Sequence, residues 1–228
     1  MRLYLSVGTL IQTAQAMAGC NRTRIAGGIA VGFSLLCAGR SAGQDPEQWE
    51  QTRNKEGIVS YIGRTRTVNG FIPTKAEMGI GVPAEACVRA VTDFDEYTRW
   101  IPYCTASRTL ERLFADECYA YYYISPPMST DRDIVVHSTV TRTGEGAYDV
   151  VIEGVPGHTA RVKGVIRVPF FLSRYHIAAD GNGGTRITHV NEIDLGGSIP
   201  EFLHNWSKES QPWDTMRTLR ECILSGKL

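Results

Sequence analysis

Between residues 105 and 195 the chain repeats one pattern seven times. Each repeat is a short stretch in which β-branched and aromatic residues alternate with polar ones, and a cluster of Gly, Pro or Asp separates nearly all of them. The stretches are 105–113, 118–125, 133–143, 147–155, 161–168, 175–179 and 185–195, and period-two alternation over such lengths predicts half-buried strands. Residues 199–224 then place Phe202, Leu203, Trp206, Trp213, Met216, Leu219 and Ile223 near one side of a helix of about 25 residues. No helix separates the strands, so a doubly wound parallel sheet is excluded. The pattern predicts an α+β architecture: one antiparallel sheet curled over one long C-terminal helix. A single helix face cannot fill the hollow of so large a sheet, so an internal apolar cavity of about 300–1,000 Å³ is expected.

The segments upstream extend this layout. Residues 45–56 read as a short amphipathic helix capped by Asp45, with Trp49 on its apolar side. Residues 57–67 and 70–82 read as an antiparallel hairpin turned at Asn69-Gly70. After Pro83, the helical spacing of Ala86, Val88, Val91, Phe94 and Tyr97 predicts a helix, and Asp93 can cap a second short one. Beyond this strand-scale alternation, residues 44–228 contain neither an internal sequence repeat nor a linker long enough to separate a pair of domains.

The charges of the chain cancel, 24 basic against 24 acidic, but they are unevenly placed. Residues 1–43 hold Arg2, Arg22, Arg24 and Arg40 and no acid, so from Gln44 the balance is 20 − 24 = −4. A chain with that balance has no general electrostatic reason to bind nucleic acid. Residues 25–38 (IAGGIAVGFSLLCA) follow a basic segment and precede Ser41-Ala42-Gly43, which is the order of a secretory signal peptide cleaved before Gln44. Residues 1–43 are therefore expected to be a leader, started at Met1 or Met17, and 44–228 an exported domain, periplasmic or secreted. The alternative reading of that segment is a buried Gly/Ala-rich helix. Without the leader four cysteines remain, Cys87, Cys104, Cys118 and Cys222, either as disulfides or as small buried hydrophobes.

Four segments in order carry a family resemblance. They are Trp49 followed by 57–61 (GIVSY), 97–102 (YTRWIP), Pro126-Pro127 leading to 131–135 (DRDIV), and 197–205 (GSIPEFLHN). Over residues 46–224 the chain resembles the START (steroidogenic acute regulatory protein-related lipid-transfer) family within the helix-grip, Bet v 1-like superfamily. The resemblance implies a tunnel closed by the C-terminal helix and by loops, holding one sterol, phospholipid or other lipid without catalysis. In mammalian cholesterol-binding relatives an arginine lies six residues after the Arg of the Arg-Asp pair. Ser138 stands there in this chain, so that mode of sterol recognition is not carried over.

Alternation along 118–123 sends Tyr119, Tyr121 and Tyr123 to one face and Tyr122 to the other. The three tyrosines are taken as ligand-binding candidates, with ordinary strand packing as the alternative. Arg132 and Asp133, on opposite faces of one strand, are expected to make separate structural contacts. Val136 and Ser138, on the Arg132 face, are expected in the tunnel wall. Phe202, Trp206 and Trp213 on the last helix complete that wall. Phe170 and Phe171 read as an apolar tip between strands, either a gate that touches membrane or a tucked turn, and Gly196-Gly197 as a hinge. His137, His158, His176, His189 and His204 lack the spacing of helical zinc sites, and no nucleophile elbow or phosphate loop occurs, so neither metal nor cofactor is expected. The expected partner is a lipid or other hydrophobic small molecule, with transient membrane contact, no nucleic acid, and a monomeric protein. Two other readings stay open. One is an aromatase/cyclase-type enzyme using Glu153, His137 and the tyrosines on a polyketide-like substrate; the other is an interaction module with a filled core.

Overall fold

A computed structural model describes residues 48–226. The expected leader lies outside the described residues. Ten strands among the described residues form one curved sheet: β1 (Trp49–Lys55), β2 (Ile58–Gly63), β3 (Thr74–Ile80), β4 (Cys104–Phe114), β5 (Glu117–Ile124), β6 (Arg132–Gly144), β7 (Ala147–Gly154), β8 (Ile166–Arg167), β9 (Phe170–Ala179) and β10 (Thr185–Asp194). Their spatial order is β1-β2-β3-β10-β9-β7-β6-β5-β4, antiparallel throughout except that β8 lies parallel to the start of β6. Pairing of β3 with β10 joins the N-terminal strands to the C-terminal ones. Helix α1 (Ala84–Thr92) and a 3-10 helix (Phe94–Arg99) follow β3, and α2 (Glu201–Glu209) and α3 (Gln211–Leu224) lie after β10. The expected α+β, helix-grip architecture is the one observed.

Alternation decides which side of each strand is buried against the helices. Ile58, Met78, Ile187 and Ile177 form one continuous row across β2, β3, β10 and β9, and each is at most 2% exposed. Phe94 and Tyr97 of the 3-10 helix join Met216 and Leu219 of α3 in the same core. Burying such side chains contributes roughly 1.5–3 kcal/mol each.

Four local expectations are corrected. The segment expected to be an N-terminal helix is strand β1, paired along β2. A helix of that length is marginal alone, whereas the edge of β2 offers unpaired backbone groups, and the ammonium of Lys75 stands over the rings of Trp49 and Tyr61. The connection from β2 to β3 is a ten-residue excursion rather than a tight hairpin, although Gly70 does close a turn on the Thr67 carbonyl. Residues 161–168 yield only the two-residue β8, which pairs with Arg132 and Asp133 of β6, and the loop before it is held by the Arg167 side chain at the carbonyls of Pro156, Thr159 and Ala160. The long helix is two helices with a break at Ser210. Pro212 has no N–H to donate and its ring crowds the carbonyl four residues back, which stops the first helix.

Arg132 and Asp133 do make separate contacts on opposite faces of β6. Arg132 donates to the carbonyls of Leu195 (3.1 Å) and Thr130 and to the Ser129 hydroxyl. Asp133 receives a two-pronged guanidinium from Arg167 at 2.8 and 2.9 Å, with both side chains 1% exposed. Arg167→Met leaves a buried carboxylate unpaired and strips the 155–165 loop of its anchor. Urea unfolding should show a loss of about 3–5 kcal/mol; a loss under about 1 kcal/mol would mean the pair is dispensable.

Candidate functional site

The concave face of the sheet is not filled. A cavity of about 110 Å³ remains between β5, β6, β7, β9 and β10 on one side and the 3-10 helix, its following loop, α2 and α3 on the other. That is smaller than the 300–1,000 Å³ expected. Its side walls are Tyr97, Ile101, Pro102, Tyr122, Ile124, Ile134, Ile152, Phe171, Ile193 and Leu195. Trp206 and Ser207 of α2, with Gln211 and Thr215 of α3, close it.

Polar groups gather on one patch of the sheet. Ser173 and Asn191 face each other directly across β9 and β10, and one step along the same faces Tyr175 opposes His189. The Tyr175 and His189 rings stack at 4.1 Å, and His189 Nε2 lies 2.8 Å from the Ser173 hydroxyl. Burial pushes the imidazole down to about 3, so it is neutral at physiological pH. Burial likewise pushes the Tyr175 and Tyr122 hydroxyls above the ordinary phenol range. Among the described residues, the cavity lining contains no Lys, Arg, Asp or Glu.

The candidates named from sequence fall into distinct places. Trp206 lines the cavity, where its ring edge meets Tyr103 at 5.1 Å and its Nε1 donates to Asp214. Phe171 also lines it, but not as part of a tip: Phe170 and Phe171 are the first residues of β9, paired with Asp194 and Ile193. Phe170 stacks on Phe71 at 4.6 Å. Val136 and Ser138 lie on the inward face of β6 as expected, yet in packed interior rather than in the cavity wall. Phe202 is 42% exposed on α2, and Trp213 is buried at Lys55, whose carbonyl accepts its N–H. Gly196 and Gly197 both have left-handed backbone (φ +65° and +62°), and a Cβ on Gly197 would lie 2.6 Å from Ile166.

The tyrosine assignment is reversed. Tyr119, Tyr121 and Tyr123 face outward: Tyr119 stacks on His158 (3.9 Å), the Arg108 guanidinium lies over Tyr121, and Tyr123 donates to Asp131. Tyr122 is the one turned into the cavity. Its strand face carries Cys118 and Ala120, and those small apolar neighbours are the signal that the sequence offers. His189 and Asn191 are also legible as polar residues at alternate positions with Ile187 and Ile193. His137 and Glu153 are paired residues on the outer face, and neither lines the cavity. Cys87, Cys104 and Cys118 are buried free thiols, and Cys222 is buried too. Burial pushes Cys87 and Cys104 up to about 11, which leaves them protonated and unreactive.

With this geometry established, comparison with known proteins identifies the family. The family model described as START domain matches residues 40–225. The chain belongs to the START domain family. The crystal structure of a STAR-related lipid transfer protein fragment from Xanthomonas axonopodis is 28% identical with a TM-score of 0.71, over 78% of this chain and 99% of that one. An uncharacterized protein of Pseudomonas aeruginosa is also 28% identical, over 76% of this chain and 86% of its own length. Human StAR-related lipid transfer protein 5 shares the fold at 15% identity, with a TM-score of 0.71 over 81% of this chain and 90% of that one.

The neutral His189 makes the domain acid-sensitive. Its folded value lies near 3 and its unfolded value near 6.5, so the unfolded chain takes up a proton first as pH falls. The contribution is complete above about pH 6.5 and is lost at up to about 1.4 kcal/mol per pH unit on the way down towards 3. Between about pH 6.5 and 5, wild type should lose about 2 kcal/mol more than His189→Gln in chemical unfolding. Equal losses would show that His189 titrates normally in the folded protein.

Proposed function

We propose that this START domain encloses one hydrophobic small molecule, a lipid such as a sterol or phospholipid, and carries it between membranes without altering it. The observation that carries this reading is the apolar cavity under α2 and α3. Apolar area removed from water there stabilises a ligand by about 25 cal/mol per Å² before ordering costs. A cavity of about 110 Å³ is below the range of small-molecule sites, roughly 300–1,000 Å³, so loading requires one wall to move. Helix α2 is the wall assigned to this movement, because the break at Ser210 separates it from α3. Phe202 offers an apolar ring on that wall for transient membrane contact. The cavity is walled by one chain's own elements, so a monomer suffices.

Catalysis is not needed by this reading, and the chemistry of the lining supports that. An imidazole near 3 is too weak a base to take the Ser173 proton at neutral pH. His137 and Glu153, the acid-base candidates of a cyclase, lie on the other face of the sheet.

Ile152→Trp tests the site, since the larger ring occupies existing space at the cavity wall. The variant should remain folded and bind a fluorescent sterol or phospholipid at least about tenfold more weakly, with a matching loss of transfer between vesicles. Undiminished affinity would place the ligand elsewhere. The basic, apolar, small-residue order of residues 21–43 supports export to a periplasm or the exterior. N-terminal sequencing of the soluble protein from its native host should begin at or near Gln44, and a chain retaining Met1 or Met17 would overturn the export reading.

A further inference from the structure

The polar side chains around the cavity are nearly all engaged with the protein itself. Tyr97 donates its hydroxyl to the Val91 carbonyl at 2.6 Å, and Trp206 donates to Asp214 at 3.1 Å. Gln211 donates to Thr215, and Ser173 pairs with His189. The amide oxygen of Asn191 is not among them. The Asn191 side chain is 7% exposed and lines the cavity, and its Oδ1 is fully buried with no hydrogen-bond partner among the described residues. A buried acceptor left in this state costs about 1–3 kcal/mol relative to one that is satisfied, and such groups are uncommon in folded proteins. The cost persists at a residue flanked on the same strand face by His189 and Ile193, where Leu or Val would pack without penalty.

We infer that Asn191 Oδ1, uncovered when the cavity widens on loading, is the acceptor for a hydroxyl group on the ligand, and that the end of the ligand buried against β9 and β10 is uncharged. The inference rests on the lipid-binding reading and narrows it to a ligand class. The described lining contains no Lys, Arg, Asp or Glu to balance a headgroup charge. His189, the titratable ring beside Asn191, is buried and held neutral. An ionised phosphate or carboxylate placed there would lose its hydration and gain no counter-ion. A hydroxyl suits the site on both counts, because it satisfies Asn191 and brings no charge. Ser173, directly opposite Asn191 across the two strands, then contacts the same end of the ligand. The apolar remainder lies against Ile134, Ile152, Phe171 and Trp206.

Three probes that differ only at one end test this: a pyrene-labelled long-chain alcohol, its methyl ether, and the corresponding carboxylate. Wild-type protein should bind the alcohol about tenfold more tightly than the ether, equivalent to about 1.4 kcal/mol, and the carboxylate more weakly than either. Asn191→Leu, which replaces the unpaired acceptor by an apolar group of similar size, should bind alcohol and ether equally. Its thermal midpoint should be unchanged or higher. Equal affinity of wild-type protein for alcohol and ether overturns the acceptor role and leaves the lipid-binding reading standing. Tightest binding of the carboxylate overturns the uncharged end. Failure of all three probes to bind overturns the cavity reading itself. The probe comparison on wild type decides the matter without relying on any variant to fold.

Discussion

Two guanidinium groups at one end of the sheet hold the rest of the site in place. Arg132 and Asp133 are adjacent on β6, so strand alternation drives their side chains to opposite faces. On the inner side Arg132 gathers the carbonyl of Leu195 and the 129–130 turn, which fixes where the chain leaves β10 and turns towards α2. On the outer side Asp133 binds Arg167, which takes three loop carbonyls as well. Buried charges of this kind are strongly destabilising when broken. Each loop tied to them is therefore set by electrostatics and hydrogen bonding rather than by its own conformational preference.

The cavity exists because of a mismatch of shape. Ten strands make a wide concave surface, and α2, α3 and the 3-10 helix cover it incompletely. A packed core would have used larger side chains at Ser173 and Asn191. Those two positions carry small polar groups instead, on the β9–β10 ladder, and they give the apolar chamber one hydrogen-bonding spot. The helix break at Ser210 places a weak point on the opposite wall, so the chamber has a polar floor and a divided cover.

Much of the architecture is legible in residue order. Period-two alternation marks six of the seven strands expected after residue 104, and the α1 and 3-10 helix pair follows from apolar spacing after Pro83. Local pattern misleads where a distant partner overrides it. Residues 49–55 have a helical composition but sit beside an open strand edge, and the edge prevails. Residues 161–165 alternate like a strand, yet of the expected 161–168 stretch only Ile166 and Arg167 pair along β6. Pro212 is a local signal of a different kind, a plain helix breaker inside a convincing apolar stripe.

Strand alternation, the helical stripe and the family are all set at the level of residue order, because they depend on short distances along the chain and on motif spacing. So is the placement of Tyr122 opposite Tyr119, Tyr121 and Tyr123. Which of those two faces points inward is settled only by packing, since alternation is symmetric until something covers one side. The convergence of Ser173, His189 and Asn191 likewise depends on the register between β9 and β10, which no single strand encodes. The unpaired oxygen of Asn191 emerges only when all its neighbours are in place, because an unmet hydrogen bond is a property of surroundings and not of a residue.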